Sequence, residues 1–484
     1  MRDPRPWQRS ELPGAIRAIP RMLTDEEAKY LTWVTATQCT GFGAVVDLGP
    51  WLGGSSAALA EGLRHRGAST PVHCFDLFRW RPTYMERSSP RGLKDGDDFM
   101  PAFLEATCAY SDHILAERMD LLDGHWDRGP IEILFVDAAK SWELWSAILR
   151  VFAPHLIPGR SRVIHQDFRH PWCHWLPLTM DSRPDAWREL ESVEVGDTVT
   201  FVPNSDLASL GLCDVVYGED DFDVCTSRRI FERRIAEAET VRQVLRFRSA
   251  LLYKAAIEGD FDLVESIRQT AAEEISKLES EQIRRQTEVE LRRLLDAAVA
   301  ALVAGALGEK ERGDERSSER CLRKLDGRPE ALMVRGIHAA RRGDESAAVR
   351  QLGLALERDP SLTRAWFERA ALSSRSGDAE GVRDAVVAAL TSRPNQPLAV
   401  QAYAFGLLEP ALRKIASAEV ARAVVRALEP SFAQSAAWLV LRALIERETG
   451  DRSSSVRTIR RALELQPNHE RAKTLLREWS VDEG

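Results

Sequence analysis

The segment spanning residues 45–56 constrains the fold of this chain more than any other stretch. Two branched apolar residues lead into Asp47, a glycine-rich turn follows, and small and apolar residues then continue with helical spacing. This pattern predicts a buried strand, a tight turn and the start of a helix. Gly49 and Gly53 let the backbone approach a ligand closely, and a helix start offers free N–H groups. The segment therefore predicts either a cofactor-binding turn or an ordinary strand-to-helix turn.

Aspartates recur where the predicted strands of the first half end. The second predicted strand, over residues 71–76, ends at Asp76, where an acid can hold ribose hydroxyls. Three further strands are predicted, each followed by an aspartate: residues 118–122 with Asp123, residues 131–136 with Asp137, and residues 162–165 with Asp167. An aspartate at a strand end can instead cap a helix or turn. Because open α/β sheets bind ligands at the carboxyl ends of their strands, the recurrence favours a binding site.

Other signals in the first half complete an α/β pattern. Thr24 and Glu27 form a capping-box pattern that predicts a helix over residues 25–37. Apolar spacing predicts a second helix over residues 142–152. Residues 197–203 predict a late strand that would complete the sheet.

With these residues in place, the first half resembles the class I S-adenosylmethionine-dependent methyltransferases, closest to the macrocin O-methyltransferase branch. The motif Asp47-x-Gly49-x-x-x-Gly53-Gly54-Ser55-Ser56 is similar to the family's first motif, and residues 156–159 are similar to the turn before its fifth strand. The resemblance covers residues 20–205 and implies a Rossmann-like α/β fold that binds S-adenosylmethionine. It implies cofactor contacts from Asp47, Gly49, Gly53, Ser55, Asp76 on the ribose and Asp123 beside the adenine.

The segment from Asp137 to Lys140 resembles the Asp-x-x-Lys of catechol and caffeoyl-CoA O-methyltransferases. In those families the aspartate binds a divalent metal and the lysine helps to deprotonate the acceptor hydroxyl. The resemblance places a second metal carboxylate at Asp167 and implies Mg²⁺, a hard cation that lowers the pKa of a bound hydroxyl.

Two residues are candidates for taking the proton of the acceptor. Lys140 is either that base or the partner of an acid in a salt bridge. His165 is either a ligand or base, or an ordinary residue at a strand end. The tripeptide His165-Gln166-Asp167 departs from the Glu-Asp and Asp-Asn pairs of the two branches, because Gln166 carries no charge.

The second half has a different periodicity. Gly-Asp pairs begin at Gly343, Gly377 and Gly450, each 17 positions before a proline, and the first two copies lie 34 residues apart. This spacing resembles the tetratricopeptide repeat, a helix-turn-helix of that length. Further copies are predicted near residues 427–430, near 313–314 and from 259–260 onward. The resemblance implies an all-α solenoid whose concave face holds a protein or peptide, or else a structural or self-associating role that would make a homo-oligomer.

Length and charge exclude several classes of protein. The chain has 484 residues and a net charge of −8, which gives no global signal for nucleic-acid binding. Its longest apolar run is too short to span a bilayer, and seven scattered cysteines favour reduced thiols and a cytoplasmic location. We predict a methyltransferase domain over residues 1–225, a helical linker or start of the array over 226–295, and a repeat domain over 296–484.

Together these patterns predict metal-assisted methyl transfer from S-adenosylmethionine to a hydroxyl of a small-molecule acceptor, such as a sugar or natural product. Two alternatives remain open. The first domain would be a degenerate fold that serves as a platform while the repeats bind a partner, or the enzyme would act on a peptide or protein.

Overall fold

The computed structural model describes residues 5–81, 93–308, 315–395 and 397–481. The chain divides into two compact units, Met1–Ala298 and Val299–Gly484. The described part of the first unit contains a mixed seven-stranded sheet, and that of the second is all helical. The strands are β1 (Ala44–Leu48), β2 (Val72–Asp76), β3 (Ile114–Arg118), β4 (Ile131–Val136), β5 (Arg162–His165), β6 (Trp187–Ser192) and β7 (Val199–Pro203).

The helices fall into a group around the sheet and a consecutive array. Those of the first unit are α1 (Gly14–Ala18), α2 (Asp25–Thr37), α3 (Gly54–Arg66), α4 (Met100–Ala106), α5 (Trp142–Phe152), α6 (Trp175–Asp181), α7 (Val224–Glu237), α8 (Val241–Glu258) and α9 (Phe261–Ser276). Helix α10 (Glu281–Ala306) crosses the division between the units. The rest are α11 (Glu315–Lys324), α12 (Pro329–Arg341), α13 (Glu345–Arg358), α14 (Thr363–Ser376), α15 (Ala379–Ser392), α16 (Leu398–Ile415), α17 (Ala418–Phe432), α18 (Ala436–Glu448), α19 (Arg452–Leu465) and α20 (Glu470–Val481). None of these described helices is long and apolar enough to cross a membrane.

The strand order of the sheet is β3-β2-β1-β4-β5-β7-β6. Strands β1 to β5 pair in parallel, whereas β7 is antiparallel to both β5 and β6. The chain builds outward from β1 to β3 and then returns to β4 on the other side of β1. This reversal makes a topological switch point between β1 and β4, where open α/β sheets bind ligands.

The central strands are buried on both faces. Every residue of β1 and β4 is buried, as expected for parallel strands covered by helices on each side. Val46 and Leu134 pack into the core shared with α5 to α8, and Val45 and Ile133 pack into the core shared with α2 and α3. The alternation fixes the register, because a slip of one residue would exchange the two faces.

Several predicted elements are confirmed. The helix predicted over residues 25–37 is α2, and its capping box is formed: the Glu27 amide donates to Thr24 Oγ1 at 3.2 Å, and the Thr24 amide donates to Glu27 Oε2 at 2.8 Å. The predicted helix over residues 142–152 is α5. The late strand predicted over 197–203 is β7, which begins two residues later.

Two edge strands differ from the sequence prediction. The third strand predicted over residues 118–122 was wrong, because β3 is Ile114–Arg118 and residues 120–123 form a turn. Strand β6 was not predicted. Both lie at opposite edges of the sheet and carry charged, largely exposed residues, so neither has the continuous apolar run that marks a buried strand.

Helices α7 to α9 belong to the same core as the sheet. Phe231 of α7, together with Phe247 and Leu251 of α8, is buried in the cluster that also contains Phe168 and Phe201. The first compact unit consequently extends to Ala298. The residues predicted to form a helical linker or the start of the array contribute helices that pack against the sheet of this unit.

The repeat spacing corresponds to paired helices. At the α14–α15 turn, Gly377 has φ +77° and Asp378 accepts a hydrogen bond from the Gly381 amide at 2.9 Å. Equivalent Gly-Asp turns precede α13 and α19. Glycine ends one helix in a left-handed conformation, and the aspartate caps the next. Pro430 lies inside α17, which continues to Phe432, and the copy predicted at residues 313–314 lies outside the described residues.

Two glycines of one repeat should respond oppositely to alanine. Gly343 has φ +82°, whereas Gly353 lies within α13 at an ordinary helical φ, and an added Cβ meets nothing within 4 Å at either position. We expect Gly343→Ala to destabilise the protein by about 1 kcal/mol through backbone strain. Gly353→Ala should stabilise it by about 0.5–1 kcal/mol through helix propensity. Urea unfolding followed by circular dichroism measures the change in unfolding free energy for both variants. Changes of the same sign in the two variants would contradict the assigned turn.

Candidate functional site

The turn after β1 lies across the ends of the neighbouring strands. Gly49 has φ +84°, its amide donates to the Phe75 carbonyl at 3.0 Å, and a Cβ there would come within 3.1 Å of the Ala138 amide nitrogen. Gly53 has φ +93°, and a Cβ there would lie 2.1 Å from Thr107 Cγ2. Both positions require glycine. Gly49 faces the ends of β2 and β4, whereas Gly53 allows α3 to begin against Thr107.

Asp47 and Ser55 hold this turn together. Asp47 is fully buried, and its Oδ2 accepts hydrogen bonds from Ser55 Oγ at 2.9 Å and Ser56 Oγ at 2.6 Å. Burial raises the pKa of Asp47 to about 7. The other carboxylate oxygen, Oδ1, is buried without a partner among the described residues. The side chains therefore connect β1 to the first turn of α3 and shape the turn from within.

Asp76 lies beside the same turn. It is the last residue of β2, its Oδ1 accepts from the Phe78 amide at 2.8 Å, and the amides of Leu77 and Trp51 also bond to its carboxylate. Burial raises its pKa above the usual value. The indole Nε1 of Trp51 is buried without a hydrogen-bond partner in the described part of the chain. Asp123, in contrast, is exposed and lies in the turn that follows β3.

The carboxylates of Asp137 and Asp167 are joined by a lysine. Asp137 directly follows β4 and Asp167 lies two residues after β5, so parallel pairing of these strands brings both to one edge of the sheet. The Lys140 ammonium donates to Asp137 Oδ1 at 2.5 Å and also to Asp167 Oδ2. The aspartate side chains are 15% and 16% exposed, whereas that of Lys140 is 49% exposed. Three predicted site residues thus form one ion-paired cluster.

The charges of this cluster fix the state of the lysine. Burial raises the pKa of Asp137 to about 7; it also acts to raise that of Asp167, but Lys140 holds the pKa of Asp167 below its usual value. Desolvation lowers the pKa of Lys140, but the two carboxylates outweigh it and keep this pKa well above its ordinary value. Lys140 is therefore a cation near neutral pH, which corresponds to the salt-bridge alternative for this residue.

The donor set as arranged does not fit a divalent cation. Mg²⁺ and similar hard cations need several oxygen ligands around one point. Here the facing oxygens of Asp137 and Asp167 bond to Lys140, and Gln166, with its amide nitrogen turned toward them, donates to Asp137 Oδ1 at 3.2 Å and to Asp167 Oδ1. Across the described ranges, no group of three or more His, Cys, Asp or Glu side chains is arranged to hold a metal.

His165 is not brought to the edge of the sheet with these residues. Its side chain is fully buried, with its ring 4.9 Å from that of Trp145 and 6.1 Å from that of Phe201. Burial lowers its pKa to about 3, and both ring nitrogens lack partners in the part of the chain that is described. This environment favours a packing role for His165, which is one of the two alternatives that the sequence left open.

A network around Glu219, which includes Lys254 of α8, joins residues that local sequence patterns did not bring together. Glu219 Oε2 accepts from Trp142 Nε1 and pairs with His174 Nε2, each at 2.9 Å, and Lys254 of α8 donates to Glu219 Oε1 at 2.8 Å. Burial acts to raise the pKa of Glu219, but the bonds from His174 and Lys254 hold it far below its usual value. Lys254 is fully buried. The network fixes the segment after Asp167 against α5 and α8. Its partners lie 35 or more residues apart in the chain, so they leave no local signal in the sequence.

Comparison with known proteins gives only coarse likenesses. No protein-family model matches the chain, and no curated protein matches it. An S-adenosylhomocysteine-bound methyltransferase from Podospora anserina has 14% identity and a TM-score of 0.28 over 40% of this chain and 90% of that chain. The Cut9–Hcn1 hetero-tetramer of the APC/C has 13% identity and a TM-score of 0.28 over 53% of this chain and 52% of that chain. The functional assignment therefore rests on the residues of the site.

Replacing Asp47 by asparagine should change how stability depends on pH. The folded-state pKa of Asp47 is about 7, above the ordinary 3.8, so the folded state binds the proton more tightly and the wild type loses stability as pH rises from 4 to 7. Asparagine stays neutral and avoids this loss. Relative to wild type, Asp47→Asn should gain about 3 kcal/mol in unfolding free energy between pH 5 and pH 8.

Urea titrations of both proteins at the two pH values measure this difference. Asp206→Ala, at an exposed loop aspartate, is the matched control and should follow the wild type. A constant difference between Asp47→Asn and wild type would contradict a buried carboxylate that titrates near neutrality.

Proposed function

We propose that the first unit is an S-adenosylmethionine-dependent methyltransferase that acts on a hydroxyl oxygen of a small-molecule acceptor such as a sugar or natural product. One observation carries this proposal: a glycine turn at the switch point of a doubly wound sheet lies beside Asp76, and the Asp137–Lys140–Asp167 cluster lies at the ends of the next two strands. The first feature suits a nucleoside-containing cofactor, and the second suits an oxygen acceptor.

In the proposed cofactor site, Asp76 accepts the ribose hydroxyls and Gly49 lets the backbone approach the ligand. The unpartnered Asp47 Oδ1 and Trp51 Nε1 support a polar ligand near the turn, because buried polar groups are nearly always hydrogen-bonded. Ser55 and Gly53 shape the turn. The place of Asp123 beside the adenine remains an expectation from the resemblance.

When bound, S-adenosylmethionine would supply a methyl group on a sulfonium sulfur: the C–S bond would break to leave S-adenosylhomocysteine, while the acceptor oxygen would form the C–O bond and lose its proton. Lys140 has three N–H groups, two of which bond to Asp137 and Asp167. The third holds the acceptor oxygen and stabilises its developing negative charge. Asp137, whose pKa burial raises above its usual value, receives the proton as a general base.

For the second unit we propose binding of a protein or peptide by the repeat array. Leu398 and Tyr403 of α16 are 73% and 52% exposed, and the ring of Tyr403 contacts that of Phe367 from α14 at 5.6 Å. Two exposed apolar residues on α16, one of them in contact with a half-buried ring of α14, support an interaction surface. Self-association remains the alternative. Six cysteines carry free thiols in the described part of the chain, which supports a reducing, cytoplasmic location: Cys39, Cys74, Cys108, Cys173, Cys213 and Cys225.

Substitution of Asp76 tests the cofactor site. Asp76→Ala removes a charged hydrogen-bond acceptor, which is worth roughly 1.5–3 kcal/mol, so the affinity for S-adenosylhomocysteine should fall about 10- to 100-fold. Isothermal titration calorimetry measures the change, with Asp206→Ala as the exposed control. Unchanged affinity in Asp76→Ala would remove Asp76 from the site. If neither wild type nor control bound the ligand while the chain captured a protein partner, the scaffold alternative would replace the enzyme.

A further inference from the structure

We propose that the acceptor site operates without a divalent cation and that the ammonium of Lys140 takes the cation's place between Asp137 and Asp167. This inference rests on the proposed methyltransferase function for its chemical meaning. The claim that a lysine excludes metal from the carboxylate pair can be tested on this chain whether or not the chain is a methyltransferase.

The first step is the geometry of the pair. The ammonium nitrogen of Lys140 lies 2.5 Å from Asp137 Oδ1 and also bonds to Asp167 Oδ2. A metal held between these two oxygens would take the position of the ammonium. Because a dication and an ammonium repel each other at such short range, a dication at this point has to displace the ammonium.

The second step is the fixed backbone around Lys140. Its backbone amide donates to the Ala138 carbonyl at 2.8 Å, and the indole of Trp175 donates to the Ala139 carbonyl at 3.0 Å. Immediately after it, Ser141 caps α5 by accepting from the Leu144 amide at 3.1 Å. The turn from β4 to α5 is therefore fixed on both sides of Lys140, which keeps the base of its side chain beside the carboxylates.

The third step is the charge of the remaining ligands. Asp137 and Asp167 provide two negative charges and Lys140 one positive charge, while Gln166 is neutral and lies with its amide against both carboxylates. Gln166 therefore adds no negative charge that would favour a dication over the ammonium. The side chain of Lys140 is 49% exposed, so the cluster borders the surface of the unit.

The test measures Mn²⁺ binding by electron paramagnetic resonance on the full chain, in wild type, Lys140→Met, Lys140→Arg and Lys277→Met. The last removes an exposed lysine paired with Glu274 and is the matched control. We expect wild type, Lys140→Arg and the control to bind Mn²⁺ weakly and equally. Lys140→Met leaves the carboxylates without a cation and should bind it at least ~10-fold more tightly.

Tight Mn²⁺ binding by wild type that Asp137→Asn abolishes would overturn the inference. So would a Lys140→Met protein that keeps its circular dichroism spectrum and gains no Mn²⁺ affinity. Titration of the same samples with S-adenosylhomocysteine keeps the two proposals separate: failure to bind it would contradict the methyltransferase function, whatever the Mn²⁺ result.

Discussion

The pairing of β1 between β2 and β4 is the constraint on which the rest of the first unit depends. Parallel registers set Asp47 opposite Cys74 of one neighbour and Phe135 of the other, so the chain that leaves β1 must cross the ends of both strands. Gly49 makes this crossing possible because its backbone runs close to Ala138. The same pairing places Asp76 beside the turn and Asp137 just beyond it. The site is thus a consequence of strand order, and its side chains come from segments far apart in the chain.

Buried charge is compensated differently in the two parts of the site. In the turn, Asp47 accepts hydrogen bonds from two hydroxyls and pairs with no cation among the described residues, so burial raises its pKa toward neutrality. Beyond the turn, Lys140 compensates two carboxylates at once, and Lys254 compensates Glu219 and Glu258. A buried ion pair whose desolvation is offset in this way contributes more to geometry than to net stability. Lys140 and Lys254 accordingly fix the positions of the carboxylates that they pair with.

Strong local patterns allowed much of the fold to be predicted from sequence. The apolar runs of β1 and β4, the Thr24–Glu27 capping box and the recurring Gly-Asp turns each have a local physical cause, and the structure confirms them. The edge strands β3 and β6 carry charges on their exposed faces, so their patterns are weak. Proximity was predicted better than chemistry. Strand order grouped Asp137 with Asp167 and the family resemblance added Lys140, and the three side chains are ion-paired in the structure. Which residue is charged and which oxygens it bonds depend on burial and side-chain direction. His165 shows the same limit, since a strand-end histidine has no local signal for an aromatic core.

The most direct measurement is isothermal titration calorimetry of the full chain with S-adenosylhomocysteine, in the presence and absence of EDTA. One-to-one binding in the micromolar range that EDTA does not change is the expected result, since the turn after β1 and Asp76 would hold the cofactor without a metal. Absence of binding under both conditions would contradict a cofactor site at the switch point of the sheet.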